Sequence, residues 1–195
     1  MSLVGVNLQC KRHFPQAGTT IALENVQVDR DNELIYAWLQ KDFVREYWEM
    51  GDNSLQAVQT YLQEKLNSNF LHPILIYIDG EPAGYTELYD FNQDPLADFF
   101  PGEIGDRGWH IFLGEERFIG SGKAIFVGHT ILESLFADKT CLRVLCEPDC
   151  RNLRMIKFVK KLSHTPLQEV VLPDKTALFL ECRRETYFQE YSNEQ

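Results

Sequence analysis

The stretch Arg117-Phe118-Ile119-Gly120-Ser121-Gly122-Lys123-Ala124 decides how this chain is read. It follows an apolar, strand-like run from Gly108 to Leu113. It opens a helix marked by Ala124, Val127, Ile131 and Leu135 at helical spacing. Two closely spaced glycines let a backbone approach an anion without side-chain obstruction. The free N–H groups of the first helical turn, with the helix dipole behind them, then favour negative charge. Arg117 and Lys123 add cationic partners for phosphate oxygens. The loop lacks the Lys-Ser/Thr ending of a P-loop and is not Gly-x-Gly-x-x-Gly. Taken alone, it leaves an anion site and an ordinary turn before a core helix both open.

Outward from the loop, the elements fall into a definite order. Thr19 to Val28 predicts a first strand. Leu34, Ile35, Trp38 and Leu39 recur at helical spacing, as do Leu55, Val58, Leu62 and Leu66, with Asn53 or Ser54 placed to cap the second helix. His72 to Ile78 reads as a buried strand, Asp79-Gly80 as a hairpin turn, and Pro82 to Tyr89 as the returning strand. The stretch from Asn92 to Asp106 holds Pro95, Pro101, Gly102 and Gly105 and reads as a loop with a short helix near Leu96. Beyond the glycine loop come a strand from Leu142 to Cys146 and a helix from Asn152 to Leu162. A closing hairpin follows, Thr165–Leu172 and Thr176–Cys182. Successive strand–helix–strand units imply a parallel pair inside a mixed sheet, in one domain over residues 1–195. The helical insertion and the terminal hairpin exclude a simple doubly wound sheet.

The 195 residues carry a net charge of −10, from 29 acids against 19 bases. That balance argues against nucleic acid as the main partner. It suits a cationic small molecule, and it equally serves to keep a protein soluble. No apolar run approaches the length that spans a bilayer, and Met1-Ser2-Leu3-Val4 shows no basic stretch leading into an apolar one, so the expected location is cytoplasmic. Five cysteines without a Cys-x-x-Cys pair argue against a disulfide framework and against zinc, and no metal is expected. Neither a Gly-x-Ser-x-Gly elbow nor a His-Glu-x-x-His helix is present. An acyl-cysteine route through Cys146 or Cys150 finds no activating neighbour in the sequence.

The Arg-x-x-Gly-x-Gly pattern between a strand and a helix resembles the coenzyme A pyrophosphate loop of the GNAT acyltransferase superfamily. A closer resemblance, from about Tyr36 to Tyr187, is to the siderophore-biosynthesis acyltransferases of the aerobactin type. The matching pieces are Tyr47-Trp48, the run from Asp79 to Tyr89, Asp106-Arg107-Gly108-Trp109-His110, the glycine loop, and the run from Val144 to Asn152. The chain departs from the family at Lys161-Leu162-Ser163-His164, where the family has Lys-x-Gly-Phe. The resemblance implies a GNAT fold: α/β, with a mixed, mostly antiparallel sheet, flanked by helices, whose central parallel strands splay to admit an acyl-pantetheine arm. It implies acetyl-CoA, or another short acyl-CoA, as co-substrate. The residues implied to hold it are Phe112, Leu113, Arg117, Ile119, Gly120, Ser121, Gly122, Lys123 and Asn152. The implied acceptor is a small amine or N-hydroxy amine, with a siderophore synthetase and an amine hydroxylase as pathway partners.

Acyl transfer to nitrogen needs a neutral nucleophile, a proton acceptor and a polarised carbonyl. The resemblance implies His110 as general base and Asp149 as the group that orients it or holds substrate. A structural histidine, and an aspartate capping the helix that begins near Cys150, are the alternatives. A hydroxylamine nitrogen is largely neutral at pH 7, so the modest basicity of one histidine suffices. Tyr85, Glu87 and Tyr89 alternate along one strand and share a face, where Glu87 either meets a cationic amine or lies in solvent. Trp48 walls the substrate pocket or packs at its rim. Rival readings are an aminoglycoside or protein N-terminal acetyltransferase, and a non-catalytic acyl-CoA-binding module.

Overall fold

The computed structural model describes residues 10–48 and 50–193. Met1–Val4, read above for a leader, lie outside the described residues. Eight strands form one sheet in the order β1-β2-β3-β4-β5-β6-β8-β7. They are β1 (Cys10–Phe14), β2 (Thr19–Asn25), β3 (Leu71–Ile78), β4 (Glu81–Asp90), β5 (Arg107–Leu113), β6 (Arg143–Cys146), β7 (Thr165–Val171) and β8 (Thr176–Arg183). The helices are α1 (Val28–Leu39), α2 (Asp42–Arg45), α3 (Leu55–Asn67), α4 (Ala124–Phe136), α5 (Leu153–Lys160) and α6 (Arg184–Asn193). Among the described residues, β5 and β6 are the one parallel pair. No helix among them is long and apolar enough to cross a membrane.

Helices cover both faces of the sheet, so strand residues of either parity are buried. On one face Leu75, Tyr85 and Phe112 pack against Ile35, Trp38 and Leu39 of α1 and Val58 and Leu62 of α3. On the other, Ile74, Ile76 and Trp109 meet Val127, Ile131 and Leu135 of α4 and Val159 near the end of α5. Local chemistry sets the element ends. The Ser54 hydroxyl accepts a hydrogen bond from the Ala57 amide at 3.2 Å and starts α3. Asp79 and Gly80, with φ of 55° and 84°, make the tight β3–β4 turn.

β1, α2 and α6 were not anticipated. β1 reads Cys-Lys-Arg-His-Phe, too polar to stand out, because it is an edge strand that alternates half-buried and exposed residues. α6 is weakly amphipathic and is held by Tyr187, buried in the main core. The first expected strand also stops at Asn25, since Val28 begins α1.

The parallel pair is short. Register holds only at Arg107↔Val144 and Gly108↔Leu145. The continuation of β6 turns toward β8, where Leu178 and Cys150 amides bond the Pro148 and Thr176 carbonyls at 2.9 Å each. β5 runs on to Leu113 alone on that side, so a cleft opens from Trp109 onward. Its closed end is clamped by a buried ion pair, Arg143 Nε to Asp106 at 3.0 Å, with Glu181 beside it at 3.4 Å.

The departure from the family pattern has a structural consequence at the end of α5. Ser163 stands where the family has glycine and takes φ +59°, a left-handed conformation that costs a non-glycine residue energy. His164 replaces an apolar ring. It is buried, with Nδ1 3.0 Å from the Leu162 carbonyl and 3.1 Å from that of Val159, and its ring lies 6.0 Å from Trp109. Burial lowers its pKa to about 4, so it is neutral and donates from Nδ1. Ser163→Gly is therefore expected to stabilise the protein by about 0.5–1 kcal/mol, seen as a higher urea midpoint with an unchanged m-value.

Candidate active site

His110 sits where the cleft opens. Along β5, Ile111 and Leu113 turn toward the α4 face, whereas His110 and Phe112 turn toward the α1–α3 face, where Trp48 packs on both rings. The β4–β5 register sets Glu87 directly opposite His110. Glu87 Oε2 lies 3.3 Å from Nδ1, and Glu147 Oε1 lies 3.0 Å from Nε2. A neutral imidazole has one N–H and would aim its lone pair at the second carboxylate, so this arrangement favours the imidazolium. Burial alone pulls the His110 pKa down. The charge and hydrogen bond of Glu147, then those of Glu87, outweigh it and raise the pKa to about 10. Conversely, burial pushes Glu147 up, but His110, Lys175 and Tyr89 hold it at about 2. Glu87 is lowered as well: His110, Lys65 and Tyr61 outweigh its burial. At neutral pH the unit is carboxylate–imidazolium–carboxylate. His110 is thus not a lone base of ordinary pKa, although 29% of its side chain faces the cleft.

The face shared by Tyr85, Glu87 and Tyr89 is buried, not solvated. Tyr61 from α3 and Tyr85 (2.9 Å) both donate to Glu87 Oε1, and Lys65 Nζ lies 3.8 Å from Oε2. Tyr89 donates to Glu147 Oε2 at 3.2 Å and lies 3.2 Å from His110 Nε2. Its ring occupies the space over Gly108, where a Cβ would come within 2.2 Å of it. Trp48 stands edge-on to His110, Tyr85 and Phe112, with ring centroids 6.2, 5.7 and 4.9 Å apart, and walls the cleft.

Asp149 lines the same cleft but does not reach His110. Its carboxylate accepts from the Arg151 amide at 2.8 Å and from Arg151 Nε at 3.0 Å. It does not cap α5 either. Asn152 does, with Oδ1 accepting from the Met155 amide at 3.0 Å, which commits that oxygen to the helix. The residue that orients His110 from this side is Glu147, which the sequence reading passed over. The available signal was an acidic residue directly after the buried run Arg143–Cys146, where a carboxylate needs a partner.

Gly120 and Gly122 take φ of +75° and +83°, and a Cβ at either would meet nothing within 4 Å. No side chain caps the N-terminus of α4. Its first amides therefore border an open, concave backbone. Buried Phe118 pins the loop, and Ser121 Oγ donates to its carbonyl at 2.8 Å, while Ile119 is half-buried. Arg117 pairs with Glu81, and Lys123 with Asp79 at 2.6 Å. Both pairs are exposed enough to exchange for a phosphate at little cost. On the reading that the resemblance implies, Gly122→Val is expected to raise KM for the acyl donor about tenfold or more through strain at positive φ, leaving KM for the acceptor in place. Initial-rate measurements varying each substrate separate the two.

A cavity of about 590 Å³ runs through the cleft, with Trp48, Tyr61, Glu87 and Asp94 on one side and Ile111, Cys146, Met155 and Val159 on the other. Burial and the Glu147 charge push the Cys146 thiol well up, so it is no nucleophile. Among the described residues no group of three or more His, Cys, Asp or Glu side chains is arranged to hold a metal ion.

Residues 27–172 match the family model described as an acetyltransferase (GNAT) domain. The N-hydroxyputrescine acetyltransferase of Acinetobacter baumannii is 27% identical over 177 residues, 91% of this chain and 84% of that one. Against several other curated relatives, the chain spans little more than half of their length, 54% to 57%. A crystal structure of an uncharacterized protein from Bacillus halodurans superimposes with a TM-score of 0.92 at 26% identity over 96% of each chain. The aminoglycoside acetyltransferase AAC(6')-Ib, solved with ribostamycin and coenzyme A, gives 0.77 at 25% identity over 86% of this chain and 95% of that one.

Proposed function

Because the chain belongs to the GNAT acetyltransferase family, we propose that it moves an acetyl group from acetyl-CoA to the hydroxylated nitrogen of a small N-hydroxy amine, in cytoplasmic assembly of a hydroxamate siderophore. The observation that carries this reading is the Glu87–His110–Glu147 cluster, which lines the cavity beside β5. The relation to an enzyme named for N-hydroxyputrescine supports the acceptor class.

The loop fits a pyrophosphate: it offers backbone amides, no Cβ in the way, and two cations within reach. Gly120, Ser121, Gly122 and Lys123 would hold it, with Arg117. Bound there, the acetyl thioester supplies an electrophilic acyl carbon and a thiolate leaving group. The acceptor nitrogen arrives neutral, so it needs no base before it attacks. As the N–C bond forms and the C–S bond breaks, one proton has to leave nitrogen and one has to reach sulfur. Glu147 takes up the first at its carboxylate. His110, which carries both ring N–H protons, gives up the second from Nε2, and the Glu147 proton then restores it. The cluster ends with the charge it began with, and its titration belongs to the unit and not to one residue. Trp48 walls the cleft beside His110.

Steady-state acetylation of N-hydroxylysine, N-hydroxyornithine and N-hydroxy-diaminopropane tests the proposal. Absence of turnover with all of them, with acetyl-CoA binding verified by calorimetry, rules it out. A second reading, acetylation of an aminoglycoside, is favoured by the likeness to AAC(6')-Ib. Higher kcat/KM for ribostamycin than for any hydroxylamine would establish it instead.

A further inference from the structure

Each ring nitrogen of His110 faces a carboxylate oxygen that also faces a lysine. On one side Nε2 lies 3.0 Å from Glu147 Oε1, and Lys175 Nζ lies 3.5 Å from the same oxygen. On the other, Nδ1 lies 3.3 Å from Glu87 Oε2, and Lys65 Nζ lies 3.8 Å from that oxygen. The second oxygen of each carboxylate takes tyrosine hydroxyls, Tyr89 at Glu147 and Tyr61 with Tyr85 at Glu87. The result is a row of alternating charge that runs across the cleft from α3 to the β7–β8 turn, with both carboxylates buried. Backbone bonds set Lys175 in that row. The Leu172 amide donates to the Lys175 carbonyl at 2.8 Å and closes the turn Pro173-Asp174-Lys175. The strand that follows is tied to the stretch just after Glu147. Asp149 bridges to Ala177, and the Cys150 amide donates to the Thr176 carbonyl at 2.9 Å. Among the described residues, Glu147 is the ion-pair partner of Lys175, and 25% of the lysine side chain is exposed.

We infer that Lys175 is a positioning residue of the acid–base unit, acting through Glu147 by sharing the oxygen that faces His110 Nε2. This rests on the roles given above to Glu147 and His110, and not on which amine is the acceptor. Two cations at one oxygen divide its negative charge between them. With Lys175 in place, the Nε2 proton is released to sulfur more readily. Without it, Glu147 Oε1 belongs to His110 alone, the pair tightens, and the ring becomes a poorer acid. The same change makes Glu147 a stronger base, but little follows from that. An attacking nitrogen turns acidic once it bonds to carbon, so a weak base suffices. The effect therefore falls on proton delivery and is read in kcat. Lys65 sits at the nitrogen that keeps its proton, and Lys175 at the one that gives it up.

Initial rates with the best acceptor among N-hydroxylysine, N-hydroxyornithine and ribostamycin test this. Lys175→Met should lower kcat about tenfold and hold KM for acetyl-CoA within about twofold of the parent. Lys175→Arg, which returns a cation to the same place, should recover most of the loss. In a Glu147→Gln background, Lys175→Met should change kcat by less than about twofold, because the amide has no charge to share. A parental kcat in Lys175→Met overturns the inference even if the urea midpoint drops, since the lysine would then serve the fold alone. The full loss repeated in the Glu147→Gln background also overturns it, because the lysine would act by another route. Failure of Lys175→Arg to restore kcat does the same. Glu147→Gln with a parental kcat removes the reading of Glu147 as well. A large loss in Glu147→Gln beside a parental Lys175→Met removes this inference alone.

Discussion

With His110 replaced by Ala, kcat is expected to fall by about 10²–10⁴-fold while acetyl-CoA still binds, because in the proposed reaction the imidazole gives up a proton and the glycine loop holds the donor. Glu87 and Glu147 would then face one another across the vacated space. Each keeps a lysine, Lys65 at 3.8 Å and Lys175 at 3.5 Å, so the fold should persist while the acid–base unit is lost. The variant also carries a stability signature. His110 has a folded pKa of about 10, against an ordinary value near 6.5. Its contribution is complete below pH ~6.5 and drains away as pH rises through about 10. Glu147, held at about 2 against an ordinary 4.5, contributes above pH ~4.5 and loses that contribution as pH falls toward 2. Stability of the parent should therefore be greatest between pH ~4.5 and ~6.5 and decline on the alkaline side. His110→Ala should flatten that alkaline decline. Urea midpoints at pH 6 and pH 9 measure it, and a kcat within threefold of the parent would refute the catalytic role.

Glu147→Gln should cost about a hundredfold in kcat and move the alkaline limb of the pH–rate profile to lower pH by more than one unit. Glu147 is the strongest influence raising the His110 pKa, and an amide supplies no charge to do so. Glu87 remains, so the ring is still held at Nδ1 and only its charge is loosened. Asp149→Asn is the informative comparison. Its carboxylate binds Arg151 and not His110, so the alkaline limb should stay where it is, whatever happens to KM. Matching shifts in the two variants would show that Asp149 sets the state of the ring as much as Glu147 does.

Much of the molecule was legible because short-range chemistry writes it. The Asp79-Gly80 hairpin, the Ser54 cap, the glycine loop at positive φ and the strand–helix alternation around it each depend on residues a few positions apart. The parallel pair followed from that alternation. β1 was hidden because an edge strand needs only one apolar side, and α6 because a single buried tyrosine anchors it. Alternation placed Tyr85, Glu87 and Tyr89 on one face. It said nothing of whether α1 and α3 would cover that face, and a solvated carboxylate and a buried one look alike in sequence.

The sequence by itself determined the order of the strands from β2 to β8, the glycine turn at Gly120 and Gly122, and the strand that bears His110. These rest on periodicity, turn geometry and local hydrogen bonding. Only the tertiary structure decided the charge of that histidine. Glu87 arrives 23 positions before it, across β4, and Glu147 arrives 37 positions after it, where β6 peels away from β5. A titration set by groups so far apart along the chain exists only once the sheet has brought them within 3.3 Å of one ring.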